Sequence, residues 1–234
     1  MLVDSHCHLD SIKNYSLSDK VLPITVGYSH SSNLKTLEIA KKLKIPFVLG
    51  ISPQAAQKEG IEKLDEWAEW IKSANPKPNA IGEIGLDYHW AKTKEDKEKQ
   101  HSVFENMIEL AEEMQLPIVI HARDAITELL NILKERKFSN GIMMHFFSGN
   151  EEEAKRAADI GGSVSIVPLH SKIRRKVINA IELEYLLVET DAPAVVRLPE
   201  DVEKSVQYIS EVKNLDFSVV AEQTTKNARK FFRF

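Results

Sequence analysis

The 234-residue chain is poor in cysteine, has no long apolar run and carries no excess of basic side chains. Its one cysteine, Cys7, cannot form a disulfide within the chain, and the N-terminus lacks the basic and then apolar pattern of a secretory signal. We therefore expect a cytoplasmic protein, and the apolar runs are too short to cross a bilayer. The net charge of −4 argues against a broad basic surface, so nucleic acid would have to bind in a local groove or through metal ions.

Short apolar segments alternate with amphipathic ones along the whole chain. Strands are predicted at residues 2–8, 23–28, 46–51, 80–86, 116–120, 141–145, 163–167 and 185–189. Helical patterns separate most of them, and the longest spans residues 93–115. Eight such units in 234 residues have about 29 residues each, the size of a minimal βα unit. The pattern predicts one domain over residues 1–234, a (β/α)8 TIM barrel.

An open, doubly wound sheet is the alternative fold for the same alternation of strands and helices. Such sheets bind nucleotides at a glycine-rich turn after the first strand. The residues after the first predicted strand contain no such turn, which favours the barrel.

The first predicted strand carries two histidines, one residue apart. Because strand side chains alternate between two faces, we expect Asp4, His6 and His8 to share one face. The other face is expected to carry the intervening residues: Val3, Ser5 and Cys7. Two imidazoles on one face of a strand can bind the same metal ion.

Further metal-ligand residue types stand at or near the ends of later strands. In a (β/α)8 barrel, functional groups lie at the carboxyl ends of the strands. The candidate ligands are four imidazoles and two carboxylates: His6, His8, Glu83, His121, His145 and Asp191. This set is too large for one tetrahedral zinc with an open position, and it suits two divalent ions about 3.5–4 Å apart with a shared carboxylate. Glu83 is the candidate shared ligand, and the ions are expected to be Zn, Mn or Mg.

Each ligand also has an ordinary structural interpretation when taken alone. His121 or His145 could donate a hydrogen bond to a loop carbonyl, and Asp191 could cap the next helix. Ligation is favoured because all of these residues fall on the same end of the predicted barrel. Asp4 and Glu189 are candidates for orienting the imidazoles by hydrogen bonds.

Three basic side chains near the same strand ends are candidate substrate contacts. Arg123 follows His121, and its planar guanidinium suits two phosphate oxygens, although it could instead pair with Asp124 or Glu128. His170 and Lys172 follow the seventh strand and could contact a nucleic-acid backbone, or could belong to a solvated helix.

Five segments form an ordered set of motifs along the chain. They are VDSHCHLD at 3–10, AIGEIGLDY at 80–88, LPIVIHARDA at 116–125, MHFFSG at 144–149 and LLVETDAPA at 186–194. Together they resemble the TatD-related metal-dependent deoxyribonucleases over nearly the whole chain. The resemblance implies a TIM-barrel hydrolase with two divalent ions. By similarity, one ion would be held by His6, His8, Glu83 and Asp191, and the other by Glu83, His121 and His145.

The chain departs from that family at two corners. The family usually has Gly-x-His-Pro-His after the third strand, whereas GISPQ at 50–54 puts Ser52 and Gln54 at the histidine positions. The stretch after Asp191 runs AVVRLPEDVEK and is shorter than the family's loop. The family's preference for DNA ends is therefore not carried over with this loop.

The residues and the resemblance together predict a divalent-metal-dependent hydrolase, an exonuclease-like deoxyribonuclease that uses a metal-activated hydroxide. Asp191 is the predicted catalytic residue, which orients the hydroxide and takes its proton. The alternative is an amidohydrolase-class enzyme acting on a small ester, lactone or amide; a non-enzymatic nucleic-acid-binding protein is a third hypothesis. DNA is the expected partner, and nothing in the pattern indicates a membrane or a protein partner.

Overall fold

Eight parallel strands are hydrogen-bonded in chain order in the computed structural model, which describes residues 1–59 and 61–234. They are β1 (Leu2–Cys7), β2 (Val21–Val26), β3 (Phe47–Leu49), β4 (Ala80–Asp87), β5 (Ile118–Arg123), β6 (Ile142–Met144), β7 (Gly162–Ile166) and β8 (Leu186–Val188). A parallel bridge between Cys7 and Ala192 joins the first strand to the segment after the last one. The sheet is thus a nearly closed barrel, and the predicted (β/α)8 fold is confirmed.

Helices follow the strands and cover the outside of the barrel. They are α1 (His30–Leu43), α2 (Pro53–Glu59), α3 (Leu64–Ser73), α4 (Lys94–Glu113), α5 (Ile126–Arg136), α6 (Glu151–Asp159), α7 (Lys172–Ala180), α8 (Val202–Lys213) and α9 (Phe217–Phe232). Thr93 caps α4 in a capping box with Asp96, which explains the start of the longest helix. Within the described residues, no helix combines the length and apolar character needed to span a membrane.

The connection between β3 and β4 contains two helices, where the sequence pattern predicts one. The additional helix, α2, begins right after Ser52, whose hydroxyl accepts a hydrogen bond from the Ala55 amide at 3.2 Å. Serine before a first-turn proline is a strong helix start, although α2 is too short for a clear apolar period. The short helix places Gln54 beside the carboxyl end of β4.

The first strand does not keep the predicted alternation. Val3 packs in one apolar cluster and Cys7 in another, so they do not share a face. The pairing of β1 with β2 shifts register between Asp4 and Cys7. An irregularity of this kind changes which side chains point to each face. The prediction of a common face for Val3, Ser5 and Cys7 is therefore wrong.

The barrel interior is filled at its N-terminal end by small and medium apolar side chains. The strand residues of this cluster are Val3, Ile24, Val26, Val48, Ala80, Val119, Met143 and Leu187. Phe232 and Ala228 of α9 complete the same cluster, and both are fully buried. The Asn79 side-chain amide donates to the Phe232 carbonyl at 2.9 Å, which ties α9 to the start of β4. The larger apolar cluster lies between the strands and the surrounding helices.

Candidate metal centre

His6 and His8 bring their Nε2 atoms to within 3.2 Å of each other at the end of β1. The Nδ1 atom of His8 lies 2.9 Å from the Val26 carbonyl, so it carries the proton and donates. A neutral His8 therefore presents a lone pair at Nε2, the side facing His6. His6 is fully buried, and burial together with the neighbouring imidazoles His145 and His8 holds its pKa well below the usual range. It is neutral and able to act as a ligand.

Glu83 of β4 extends between these histidines and the next ones along the barrel. Its Oε2 lies 3.8 Å from Nε2 of both His6 and His8, while its Oε1 lies 2.7 Å from Nδ1 of His121. Burial alone would raise the pKa of Glu83, but the hydrogen bond and charge of His121 hold it well below the usual range. The carboxylate is ionised, with one oxygen on each side.

Gly85 allows β4 and β5 to approach closely at this point. Its φ is +140°, and a Cβ atom there would lie 2.0 Å from the His121 carbonyl oxygen. Only glycine fits such a contact. The close approach brings Glu83 and His121 into contact across the two strands.

The imidazole of His121 lies between two carboxylates. Its Nε2 is 2.9 Å from Asp87 Oδ2, opposite the Nδ1 contact with Glu83. Burial by itself would lower the pKa of His121, but the hydrogen bonds with Asp87 and Glu83 outweigh it and raise the pKa to about 9. The Asp87 carboxylate accepts from Nε2 and thereby leaves Nδ1 as the nitrogen that faces the centre.

His145, which follows β6, is oriented by Glu189. Its Nδ1 lies 3.1 Å from Glu189 Oε2, and the other oxygen of Glu189 accepts the Phe146 amide at 2.6 Å. Burial lowers the pKa of His145, and the charge of Glu189 more than reverses that effect. The ring stacks on His6 with centroids 3.6 Å apart. Glu189 thus has the orienting role expected from the sequence, whereas Asp4 bonds to Thr190 and to the His6 amide.

Asp191 reaches the centre from the segment after β8. Its Oδ1 lies 3.4 Å from His8 Nε2 and 3.9 Å from His6 Nε2. The backbone is left-handed here, with a φ of 50°, and its amide donates to the His6 carbonyl at 2.9 Å. Aspartate tolerates this conformation better than most residues. The following amides bond to its backbone oxygen rather than to its carboxylate, which stays directed at His8.

Two groups of side chains share Glu83, and within each group the ligand atoms all lie within 4.8 Å of one another. One set contains His6, His8 and Glu83; the other contains Glu83, His121 and His145. Imidazole nitrogens with a carboxylate oxygen are a donor set that suits divalent transition ions. Apart from Asp191, these are the two groups that the resemblance implied. A third set, His6, His145 and Glu189, involves a carboxylate already engaged with His145 and the Phe146 amide.

The three predicted substrate contacts are not brought together. Arg123 lines a cavity of about 320 Å³ with His121 and His145. His170 stacks on Tyr208 with centroids 4.0 Å apart and lines a separate cavity, and Lys172 begins α7 with an exposed side chain. The alternative partners of Arg123 are occupied elsewhere: Asp124 lies 3.9 Å from His89, and Glu128 accepts from Tyr88.

Sequence reasoning missed Asp87 and the role of Gln54. Asp87 lies four residues after Glu83 on the same strand, which is an even spacing and therefore a signal for a shared face. The Gln54 amide donates to Asp87 Oδ2 at 2.7 Å and lies 3.2 Å from His121 Nε2. No local sequence pattern connects residue 54 with residue 121. The two residues meet only in the folded chain, where α2 places Gln54 beside His121.

Comparison with known proteins finds relatives over the whole chain. A family model described as TatD related DNase matches residues 3–233. The chain is 33% identical to the uncharacterized metal-dependent hydrolase YabD of Bacillus subtilis over 261 residues, covering 100% of this chain and 99% of that protein. It is 29% identical to the human deoxyribonuclease TATDN3, covering 99% and 94%.

A solved structure has the same fold. The crystal structure of YJJV, a TatD homolog from Escherichia coli, matches with a TM-score of 0.88 and 23% identity, covering 100% of this chain and 98% of that one. At that identity the likeness concerns the fold. The family match, over residues 3–233, includes every residue that builds the centre, from His6 to Asp191. The chain belongs to the TatD-related DNase family and is a metal-dependent hydrolase.

Proposed function

We propose that this hydrolase is a deoxyribonuclease that cleaves phosphodiester bonds with two divalent ions at the described centre. The observation that carries the proposal is the position of Glu83, whose two oxygens face different histidines, Oε2 toward His6 and His8 and Oε1 toward His121. A carboxylate shared in this way is typical of two-ion hydrolase sites. The deoxyribonuclease name of a relative 29% identical supports DNA as the substrate.

One ion would be held by His6, His8, Glu83 and Asp191, and the other by Glu83, His121 and His145. Divalent ions at these places would lower the pKa of a water molecule and neutralise charge on the phosphate and the leaving oxygen. Four imidazoles favour Zn or Mn over Mg, because Mg prefers oxygen ligands.

Asp191 would orient the attacking water and accept its proton. Its carboxylate lies beside His8, and the bond from its amide to the His6 carbonyl holds it against β1. A general base needs this kind of fixed placement within hydrogen-bond reach of the proton that it removes.

Arg123 would contact a phosphate oxygen of the substrate. It stands at the exposed end of β5, two residues after His121, and lines a cavity that reaches His145. His170 and Lys172 stay predicted contacts to the backbone of a longer nucleic-acid strand. Cytoplasmic location also stays a prediction.

The test supplies metal-stripped protein with Zn, Mn or Mg in turn and measures cleavage of end-labelled DNA and RNA beside small esters and lactones. We expect cleavage of DNA in the presence of at least one ion, and a loss of roughly 10²- to 10⁴-fold in Asp191→Asn. Asp124→Asn is the matched control, since Asp124 is an exposed carboxylate at the same end of the barrel. Equal rates for Asp191→Asn and the parent would refute the role of Asp191. Turnover of lactones but not of DNA would refute the substrate, and the ladder of labelled products distinguishes cleavage from an end from internal cleavage.

A further inference from the structure

The cavities around the carboxyl end of the barrel differ in charge. One of about 610 Å³, beside His170, is lined by several carboxylates, among them Glu200, Glu203 and Glu211. Another of about 750 Å³ includes Asp124, Glu128 and Glu153. The cavity of about 320 Å³ that holds Arg123 has no carboxylate among its lining residues: His121, Ala122, Arg123, His145, Phe146 and Ser148. Its charge suits a polyanion, and its volume suits a small ligand unit.

Phe146 gives this cavity an aromatic wall. It directly follows His145, and the two ring centroids lie 6.0 Å apart. Its backbone is left-handed, with a φ of 45°, a costly conformation for a bulky residue. The Phe146 amide donates to Glu189 Oε1 at 2.6 Å and to Ser165 Oγ at 3.1 Å, which holds this conformation. The backbone that carries the ring is therefore fixed next to His145.

Arg174 of α7 adds positive charge next to the same ring. Its guanidinium carbon lies 5.9 Å from the Phe146 centroid, within the range of a cation–π contact. One guanidinium nitrogen of Arg174 donates to the Leu169 carbonyl, which anchors the side chain. Two arginines are thus associated with the aromatic wall: Arg123 lines the same cavity, and Arg174 lies over the ring.

We propose that Phe146 is the surface on which an unpaired base of the substrate stacks, while Arg123 contacts the neighbouring phosphate. The proposal rests on the proposed function and assigns Phe146 as the residue that contacts a base, in a single strand or in a strand end that has left the duplex. A base inside a duplex is already stacked on both faces and cannot use a protein ring. Because every base has a π face, stacking of this kind is tolerant of sequence.

The experiment compares three probes: a single-stranded oligonucleotide, an abasic strand of the same length, and the corresponding blunt duplex. KM and kcat are measured for each, and binding of the labelled strands to metal-stripped protein is followed by fluorescence anisotropy. The variants are Phe146→Leu, which keeps an apolar side chain without a π face, and Phe146→Tyr, which restores the ring. Trp90→Leu is the matched control, an aromatic at the end of β4 that is 59% exposed and does not line the cavity.

We expect Phe146→Leu to raise KM and the dissociation constant for the base-containing strand roughly tenfold, within the range that one stacked base contributes. The abasic strand should respond less than twofold, and Phe146→Tyr should bind like the parent. Thermal unfolding of each variant shows that it is folded.

Several outcomes would overturn the proposal. Equal KM values of the parent for base-containing and abasic strands would do so, as would a loss in Trp90→Leu that Phe146→Leu does not show. A parent that prefers the duplex would do the same. If the parent cleaves no phosphodiester at all, it is the proposed function that fails, so the two failures are distinguishable.

Discussion

The two ends of the barrel bury opposite kinds of side chain. At the N-terminal end, the interior contains Val3, Val48, Ala80 and Phe232, all nearly or fully buried and apolar. At the C-terminal end, within a few residues on the same strands, the interior contains imidazoles and carboxylates, of which His6 is fully buried and Glu83 is 6% exposed.

One end of the sheet therefore stabilises the fold, and the other end carries the candidate site. Burying an apolar side chain contributes about 1.5–3 kcal/mol, so the N-terminal end favours folding. Burying ionisable groups is unfavourable unless each is paired, which the contacts of Glu83 with His121 and of His145 with Glu189 provide. The C-terminal end is therefore held together by ion pairs. A divalent ion would replace the contact between Glu83 and His121 and leave the bond between His145 and Glu189 in place.

Substitution of the shared carboxylate should give the largest effect. Glu83→Gln removes an oxygen charge from both ligand sets, and we expect activity to fall by about 10³-fold or more, which corresponds to about 4 kcal/mol. Bound metal per chain, measured after dialysis, should fall in parallel. Glu128→Gln, an exposed carboxylate on α5, is the control. An active Glu83→Gln variant with its full metal content would contradict the assignment.

Truncation of an apolar side chain at the N-terminal end of the barrel should reduce the stability of the fold and leave activity nearly unchanged. Phe232→Ala opens a cavity in the inner apolar cluster, and we expect a loss of about 3–5 kcal/mol in the free energy of unfolding. Urea denaturation measures this loss, and specific activity of the folded fraction at 25 °C should stay within about twofold of the parent. A large fall in specific activity without loss of stability would show that the two ends are coupled.

Removing the hydrogen-bond acceptor of His121 should weaken metal binding by the ligand set that contains His121. Asp87→Asn loses the charged partner of His121 Nε2, and we expect metal affinity to fall by about 10- to 100-fold. Gln54→Ala should have a smaller effect in the same direction, because its hydrogen bond is to Asp87. Titration calorimetry with Zn or Mn measures both. Unchanged affinity in Asp87→Asn would mean that His121 keeps its orientation without this contact.

The last prediction concerns protons released on metal binding. Burial lowers the pKa of His8, but Asp191 and Glu83 outweigh it and raise the pKa to about 9, as Asp87 and Glu83 do for His121. Both imidazoles are protonated in the metal-free protein at pH 7 and must become neutral to act as ligands. Metal affinity should rise by about tenfold per pH unit for each proton released, up to pH 9.

The stability of the metal-free protein should change with pH in the opposite direction. A raised histidine pKa contributes stability that is complete below about pH 6.5 and is lost as the pH rises through 9.

Calorimetry in two buffers of different ionisation enthalpy counts the protons released on metal binding, and His170→Gln is a remote control. Absence of any dependence on the buffer would contradict these protonation states.

The choice of candidate ligands depended on local signals. His6 and His8 lie on one short strand, and the other ligand types stand in or just after apolar segments that read as strands. Asp87 also has a local signal, its even spacing to Glu83 on the same strand. Gln54 has none, because it lies on the short helix α2. The shift of β1 between Asp4 and Cys7 was also hidden, since it depends on how β2 pairs with β1.

The sequence by itself determined the barrel, the six candidate ligands and the end of the barrel on which they stand, because apolar period and residue type are local properties. Only the tertiary structure decided which oxygen of Glu83 faces which histidine, that Asp87 and Gln54 meet at His121, and that Phe146 forms a wall beside His145. These relations depend on the distances between strands and on backbone conformation, such as the close approach at Gly85 and the left-handed Phe146. Such distances are set when the whole sheet closes, and no segment of the chain contains them.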